Sequence, residues 1–175
     1  MGFDQRKDLH DEIIDFLITE FFPRWGILAV EHGIENMPAI KLHPQLRHRY
    51  DDYTAKFIKH QPDIIIITSE KTYFIDVKTL NRYDTTNFSI EKDSYDILKD
   101  LIQLGTEIIL IYNTKLEFPW NLKAGFFKDI KVTYWFDLNE AQGSGTPGGI
   151  FDKGQLKKDI NAFFNDLKIT QQTLF

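Results

Sequence analysis

The chain has 175 residues, 42% hydrophobic and 14% aromatic, enough apolar content for one good core, and it is expected to form one domain over residues 1–175. Its net charge of −5 is the opposite of the basic balance that favours phosphate backbones, and the absence of cysteine excludes disulfides and thiolate metal sites, leaving oxygen or imidazole as metal donors. No apolar run approaches the roughly 20 residues that cross a bilayer, and Met1 to Lys7 lacks a signal-peptide centre, so a soluble intracellular protein is expected.

Leu9, Ile13, Phe16, Leu17 and Phe21 recur at three and four, which predicts an amphipathic helix from about Arg6 to Phe22, ended by Pro23. Ile27 to Val30 is a short strand after Gly26. The segment that follows is polar and has no strong period until Asp63. Within it Lys41, Arg47, Arg49, Lys56 and Lys59 outweigh Asp51 and Asp52, with His43, His48 and His60 among them. That patch is either a solvated insertion or a surface that contacts phosphates. Ile64 to Thr68 is β-branched throughout and predicts a strand buried on both faces. Ser69 to Lys71 is a tight turn into Tyr73 to Lys78, so the two segments form an antiparallel hairpin.

Asn81, Arg82, Tyr83, Thr85, Thr86 and Asn87 read as a polar loop. Glu91, Lys92 and Asp93 then start a second helix, striped by Tyr95, Leu98, Leu101 and Ile102 and closed by Gly105. Ile108 to Tyr112 is a buried strand, and a helix between strands suggests a crossover onto the same sheet. Val132 to Phe136 is a further strand, Gly143 to Gly149 a flexible linker, and Leu156, Ile160, Phe163, Phe164 and Leu167 stripe a closing helix. The order α-β-β-β-α-β, with trailing strand and helix, defines an α/β fold: a mixed sheet flanked by helices.

Alternation along a strand puts Asp76 and Lys78 on one side of the sheet and Ile75 and Val77 on the other. Asp63 opens the partner strand, so the hairpin sets it beside Asp76 and Lys78. Two carboxylates in an apolar setting repel each other and resist desolvation unless a cation joins them. A hard divalent ion, Mg²⁺ or Mn²⁺, suits one or two carboxylates, waters and a substrate phosphate oxygen. Lys78 is then placed to orient or deprotonate a water and to neutralise charge on a phosphorane-like transition state.

Pro62-Asp63, twelve intervening residues and Asp76-Val77-Lys78 on the second strand of a hairpin resemble the signature of the PD-(D/E)xK nuclease superfamily, which includes restriction endonucleases and archaeal-type Holliday junction resolvases. The similarity covers a core of about residues 8–112, leaving 113–175 as a C-terminal strand, glycine-rich loop and helix. The resemblance implies a restriction-endonuclease-like fold and a metal-dependent DNA endonuclease, structure-specific or resolvase-like, with DNA as partner and a homodimer as its assembly. It also implies that Asp63 and Asp76 hold the metal, that the Val77 carbonyl is a further ligand and that Lys78 assists the water. Many members add an acid from the first helix; Glu12 is the first choice, with Glu20 and Glu31 as alternatives. Three departures stand out: Asp76 replaces the commoner glutamate, residues 32–60 form a long connection, and the net charge is acidic.

Two competing functions are an inactive nucleic-acid-binding or protein-interaction module of the same fold, and nucleotide binding by the glycine loop. Pro147 and the delay before the next helix argue against the latter, because pyrophosphate binding needs a helix N-terminus directly after the glycines. His43 and His48, with Pro44 between them, fit no helical zinc pair, and His60 stands three residues before Asp63, within reach of a substrate. The aromatic residues Phe118, Trp120, Phe126 and Phe127 belong either to the core or to an interface between copies.

Overall fold

The computed structural model describes residues 3–33, 52–79, 87–136 and 148–167. Helix α1 (Phe3–Phe16) buries Leu9 and Ile13 of the predicted stripe, and Ile14 beside them. The chain then widens into a π turn over Leu17–Phe21 and tightens again as α2 (Phe22–Arg24). Pro23 therefore does not end the helix. It stands in the first turn of α2, where a missing N–H is tolerated, and the chain turns away at Gly26, whose φ of 66° suits glycine.

Strand β1 (Leu28–Glu31) follows, and α3 (Tyr53–Lys59) precedes the hairpin. The polar composition hid α3: Ala55 alone of its residues is buried, so it has no apolar period to read, and Asp52 starts it by accepting a hydrogen bond from the Ala55 N–H. The hairpin forms as expected, with β2 (Ile64–Ile67) antiparallel to β3 (Thr72–Lys78) and Ile64 opposite Ile75. Thr68 closes its turn, donating through Oγ1 to the Lys71 carbonyl at 2.7 Å and accepting from the Lys71 N–H at 2.9 Å.

Strand β4 (Asn87–Glu91) leads into α4 (Lys92–Gln103), which ends at Gly105 with a φ of 93°, and β5 (Ile108–Tyr112) returns parallel to β3 with Asp76 opposite Leu110. The crossover read from the sequence is thus real. Beyond it lie β6 (Lys123–Phe126), β7 (Tyr134–Phe136), β8 (Gly148–Asp152), β9 (Lys158–Asp159) and α5 (Ile160–Asp166). Among the described residues one sheet runs β1-β2-β3-β5-β6-β9 and a smaller one runs β4-β8-β7.

Strand β5 is buried on both faces: Ile109 and Ile111 join α1, α5, Ile75 and Val77 in one core, while Ile108, Leu110 and Tyr112 join α4, Phe88 and Phe151 in the other. The same expectation fails for β2, where Ile67 is exposed beside exposed Leu28 and Val30 of its edge neighbour β1. An outer strand has less to bury against. Of the aromatics left open by the sequence, Trp120 and Phe127 are core residues, whereas Phe118 is 67% exposed and packs edge-on to Phe16 and Trp120. Among the described residues no helix is long and apolar enough to cross a membrane.

The glycine-rich stretch is corrected in part. Gly148 and Gly149 are not linker but the start of β8, and Gly143 to Pro147 lie outside the described residues. The glycines are there to admit rings: a Cβ on Gly148 would meet Phe136 at 2.6 Å, and one on Gly149 would meet Trp135 at 2.6 Å. Gly149→Val is accordingly expected to destabilise the protein by about 1–3 kcal/mol, measured by urea unfolding, because Trp135 must leave its place against Tyr95.

Candidate active site

The site is built at the end of β3 that lies farthest from the hairpin turn. Asp63, one residue ahead of β2, turns its carboxylate sideways, and Oδ2 accepts a 2.6 Å hydrogen bond from the Val77 N–H. The N–H and C=O of one extended residue leave the strand on the same side, so the Val77 carbonyl also points to the Asp63 edge. Asp63 is held from behind as well: its own carbonyl accepts from the N–H groups of His32 at 2.7 Å and Gly33 at 3.0 Å. A Cβ on Gly33 would stand 3.3 Å from the Asp63 Cα, so the close approach that clamps Asp63 depends on a glycine.

Asp76 and Lys78 project together, as alternation predicts, and Lys78 Nζ lies 2.6 Å from Asp76 Oδ2. Asp76 keeps only 5% of its side chain exposed, against 23% for Lys78 and 17% for Asp63, so the site opens toward solvent on the Asp63 and Lys78 side. Burial pushes the Asp76 carboxyl up to about 6, opposed by the Lys78 ammonium and reinforced by the Asp63 charge. Burial also works against the charge on Lys78, but Asp76 and Asp63 outweigh it and hold the ammonium above its ordinary range. Asp63, by contrast, is held below the usual carboxylate range: burial opposes its charge, and His10, Lys78 and the Val77 N–H overcome that opposition.

His10 is the residue that sequence reasoning missed. Its Nε2 stands 3.5 Å from Asp63 Oδ2 and its Nδ1 3.5 Å from Asp11 Oδ1, a close electrostatic contact on each side. Burial disfavours its charged form, yet contact with Asp63, with Asp76 behind it, raises it to about 9. A signal was present: His10 lies on the buried stripe of α1 between Leu9 and Ile13, where a titratable side chain needs a partner. Glu12, the expected helix acid, is exposed and lies about 200° around the helix from His10, so α1 presents an imidazole rather than a carboxylate to Asp63. Glu20 is exposed and paired with Arg24 at 2.9 Å, and Glu31 is exposed at the end of β1, opposite Ile64. Among the described residues no cluster of three or more histidine or acid side chains forms a metal cage.

The oxygen donors at this end of the hairpin are of the kind a hard divalent ion takes while it keeps part of its water shell. They are the Asp63 and Asp76 carboxylates and the Val77 carbonyl, with His10 as the nitrogen donor nearest to them. One buried atom marks the place: Asp76 Oδ2 is out of contact with solvent and makes no hydrogen bond of good angle, although Lys78 Nζ is near it. The ammonium meets the charge of that oxygen but gives it no aligned donor, so a cation bound there would have to share it with Lys78.

His60, at the C-terminal end of α3, flanks the site. Burial lowers its imidazole to about 4, with the charges of Lys59, Lys78 and Lys56 adding to the effect and Asp93 opposing it. A histidine kept neutral in the fold but free to take a proton when unfolded costs stability as pH falls from about 6.5 toward 4. Wild type is therefore expected to lose about 1–2 kcal/mol more than His60→Gln across that window in urea titrations, a figure reduced for the part of the ring that water still screens.

Together the mixed sheet, the β3-α4-β5 crossover and the acid-bearing hairpin define a restriction-endonuclease-like α/β fold. Among solved structures the chain is similar to Hjc of Archaeoglobus fulgidus, a Holliday junction resolvase from an archaeal hyperthermophile. The match has a TM-score of 0.52 and 10% identity, over 92% of this chain and 96% of that one. No family model matches the chain, and no curated protein matches it in sequence. The likeness is one of fold.

Proposed function

We propose that the protein is a divalent-metal-dependent DNA endonuclease, acting on branched or otherwise distinctive DNA in the manner of a resolvase. The observation that carries this reading is the grouping of Asp63, Asp76 and Lys78 at one open end of the hairpin, with the buried Asp76 Oδ2 held against the Lys78 ammonium. The fold's similarity to a Holliday junction resolvase supports it.

In this reading Asp63, Asp76 and the Val77 carbonyl would hold Mg²⁺ or Mn²⁺, which when bound would supply water activation and polarisation of the scissile phosphate. The chain's own groups do the positioning. The Val77 N–H fixes the Asp63 carboxylate in its rotamer, and the neighbouring His10 keeps it ionised. Lys78 is held protonated by Asp76, so its Nζ donates to the attacking water or to a non-bridging phosphate oxygen and offsets the negative charge that builds there. While Asp76 faces it, Lys78 is a donor and not a base. Glu12 remains available only from the far side of α1 and has no part in the mechanism. A homodimer that cuts two strands fits the same reading.

One observation favours a second reading, an inactive DNA-binding or protein-interaction module. His10 and Lys78 already set two cations against Asp63 and Asp76, so the acids are balanced without a metal. Incubating the protein with plasmid, four-way-junction and single-stranded DNA in Mg²⁺, Mn²⁺ or EDTA separates the two. The nuclease reading expects metal-dependent nicks that Asp63→Ala, Asp76→Ala and Lys78→Ala each abolish. Wild type that binds DNA but leaves every substrate whole supports the module.

A further inference from the structure

The small sheet turns one face to the core and the other to solvent. Phe88, Ile90 and Phe151 are buried with α4 and β5, and Trp135, opposite Gly149, packs edge-on against Tyr95 of α4. Alternation sends the neighbouring residues outward. Ser89, Ile150 and Tyr134 form one row across β4, β8 and β7, and Glu91, Gly148 and Phe136 form the next. Among the described residues neither Tyr134 nor Phe136 belongs to either core, and Tyr134 is 61% exposed. Their rings lie 6.5 Å apart and within 10° of parallel.

Two contacts tie this face to the acid site. Phe136 lays its ring over Gly148, where a Cβ would meet it at 2.6 Å, so the ring points across β8 toward Glu91. Glu91 is close enough to Lys78 to add to the field that keeps its ammonium charged, and Phe88 of the same strand packs at 4.0 Å on Tyr112, the residue opposite Lys78. The rings therefore form a strip that leads to the open end of the hairpin. The charge of the face decides what it takes. Glu91 and Asp152 stand on it and repel phosphates. A protein partner would have to bury those carboxylates, and a duplex would present its phosphates to them. An unpaired strand turns its bases to the rings and its phosphates to solvent.

We propose that Tyr134 and Phe136 form a stacking platform for the bases of an unpaired DNA strand, which runs over the outer face of the β4-β8-β7 sheet to Asp63, Asp76 and Lys78. This rests on the nuclease reading for the identity of the substrate, but the platform holds a single strand whether or not it is cut. Each ring takes the face of one base, an interaction indifferent to sequence because every base has a π-face. Binding through bases suits a chain whose net charge of −5 makes binding through phosphates weak. It also gives the resolvase-like reading a source of selectivity: a fork or flap offers unpaired bases, and a continuous duplex offers none.

The test is fluorescence anisotropy in EDTA, with the full chain and labelled DNAs of one sequence: a single strand, a fork with unpaired arms and a fully paired duplex. Tyr134→Leu and Phe136→Leu keep apolar bulk on the sheet and remove the flat face. Each is expected to bind the single strand and the fork about tenfold more weakly than wild type, with duplex affinity unchanged. The slope of log affinity against log salt is expected to stay as in wild type, because no phosphate contact is lost. Tyr134→Phe keeps the ring and is expected to bind as wild type does. Photocrosslinking of wild type to a single strand carrying iodouracil reads the contact without a variant and is expected to label Tyr134 or Phe136. Leucine variants that bind the single strand and the fork at full strength overturn the platform, as do equal losses on every DNA, labels confined to other residues, or a wild type that binds no single strand. So does a wild-type dimer that Phe136→Leu splits in light scattering while DNA affinity holds, which assigns the face to a second copy. Cleavage in Mg²⁺ is scored separately: ring-dependent binding without cutting keeps the platform and discards the nuclease.

Discussion

Asp76→Asn/Lys78→Met should yield a protein that is more stable than wild type and inert on DNA. The pair it removes is a carboxylate with 5% exposure against an ammonium with 23%, 2.6 Å apart at the inner end of β3. Desolvating such a pair costs several kcal/mol per ion; the surrounding acids outweigh that cost for Lys78, but Lys78 does not outweigh it for Asp76, the more buried partner, whose carboxyl is pushed up. Replacing both charges together leaves neither ion stranded, and a gain of about 1–4 kcal/mol in urea unfolding is expected. The single change Lys78→Met should do the reverse, because it leaves Asp63 and Asp76 to repel each other with one cation fewer. The sign of the pH dependence checks the cause. Asp76 titrates near 6 in the fold and near 3.8 in the unfolded chain, so the fold binds the proton more tightly and wild type regains stability as pH falls through that window. The advantage of the double variant should therefore shrink between about pH 6 and pH 4. Cutting, on the proposed function, falls by about 10³-fold or more, since both an acid and the donor that faces the phosphate are gone.

The parts of the fold legible in the sequence were those where burial is continuous. Ile108 to Tyr112 is apolar because both of its faces are covered, and the stripe of α4 is clean because one face alone meets the sheet. The hairpin was legible for the same reason, and with it the meeting of Asp63, Asp76 and Lys78. What escaped had other causes. α3 buries almost nothing, so hydrophobic periodicity is silent there, and β4 was hidden in a polar stretch that pairs with β8 rather than with the main sheet. β8 begins with glycines because aromatic rings from β7 occupy the space that side chains would fill, which from sequence alone looks like a linker. Glu12 stood ahead of Glu20 and Glu31 because an acid was expected from the N-terminal half of the first helix, whereas the helix's own geometry sets His10 against Asp63. Two positions along α1 exchange a solvated carboxylate for a half-buried imidazole.

That exchange leads to the second large effect. His10→Glu places a third carboxylate beside Asp63 and Asp76 and removes the imidazolium that balances them. In EDTA the variant should lose about 2 kcal/mol or more relative to wild type, which for a chain of this length corresponds to a fall in Tm of about 4–8 °C. Millimolar Mg²⁺ should return most of it, because an ion bound by the native acids and not by the unfolded chain stabilises in proportion to the logarithm of its occupancy. Wild type should respond far less to the same addition, since His10 and Lys78 already oppose the two acids and an entering dication has to displace or tolerate them. Differential scanning fluorimetry of both proteins with EDTA, Mg²⁺ and Mn²⁺ reads the contrast directly. If His10→Glu melts with wild type in EDTA, the imidazole is not a counterion to Asp63. If Mg²⁺ raises both proteins equally, the helix residue does not share the cation's place. The outcome thus bears on how this chain came to hold its acids together: by an ion from solution, or by a histidine of its own.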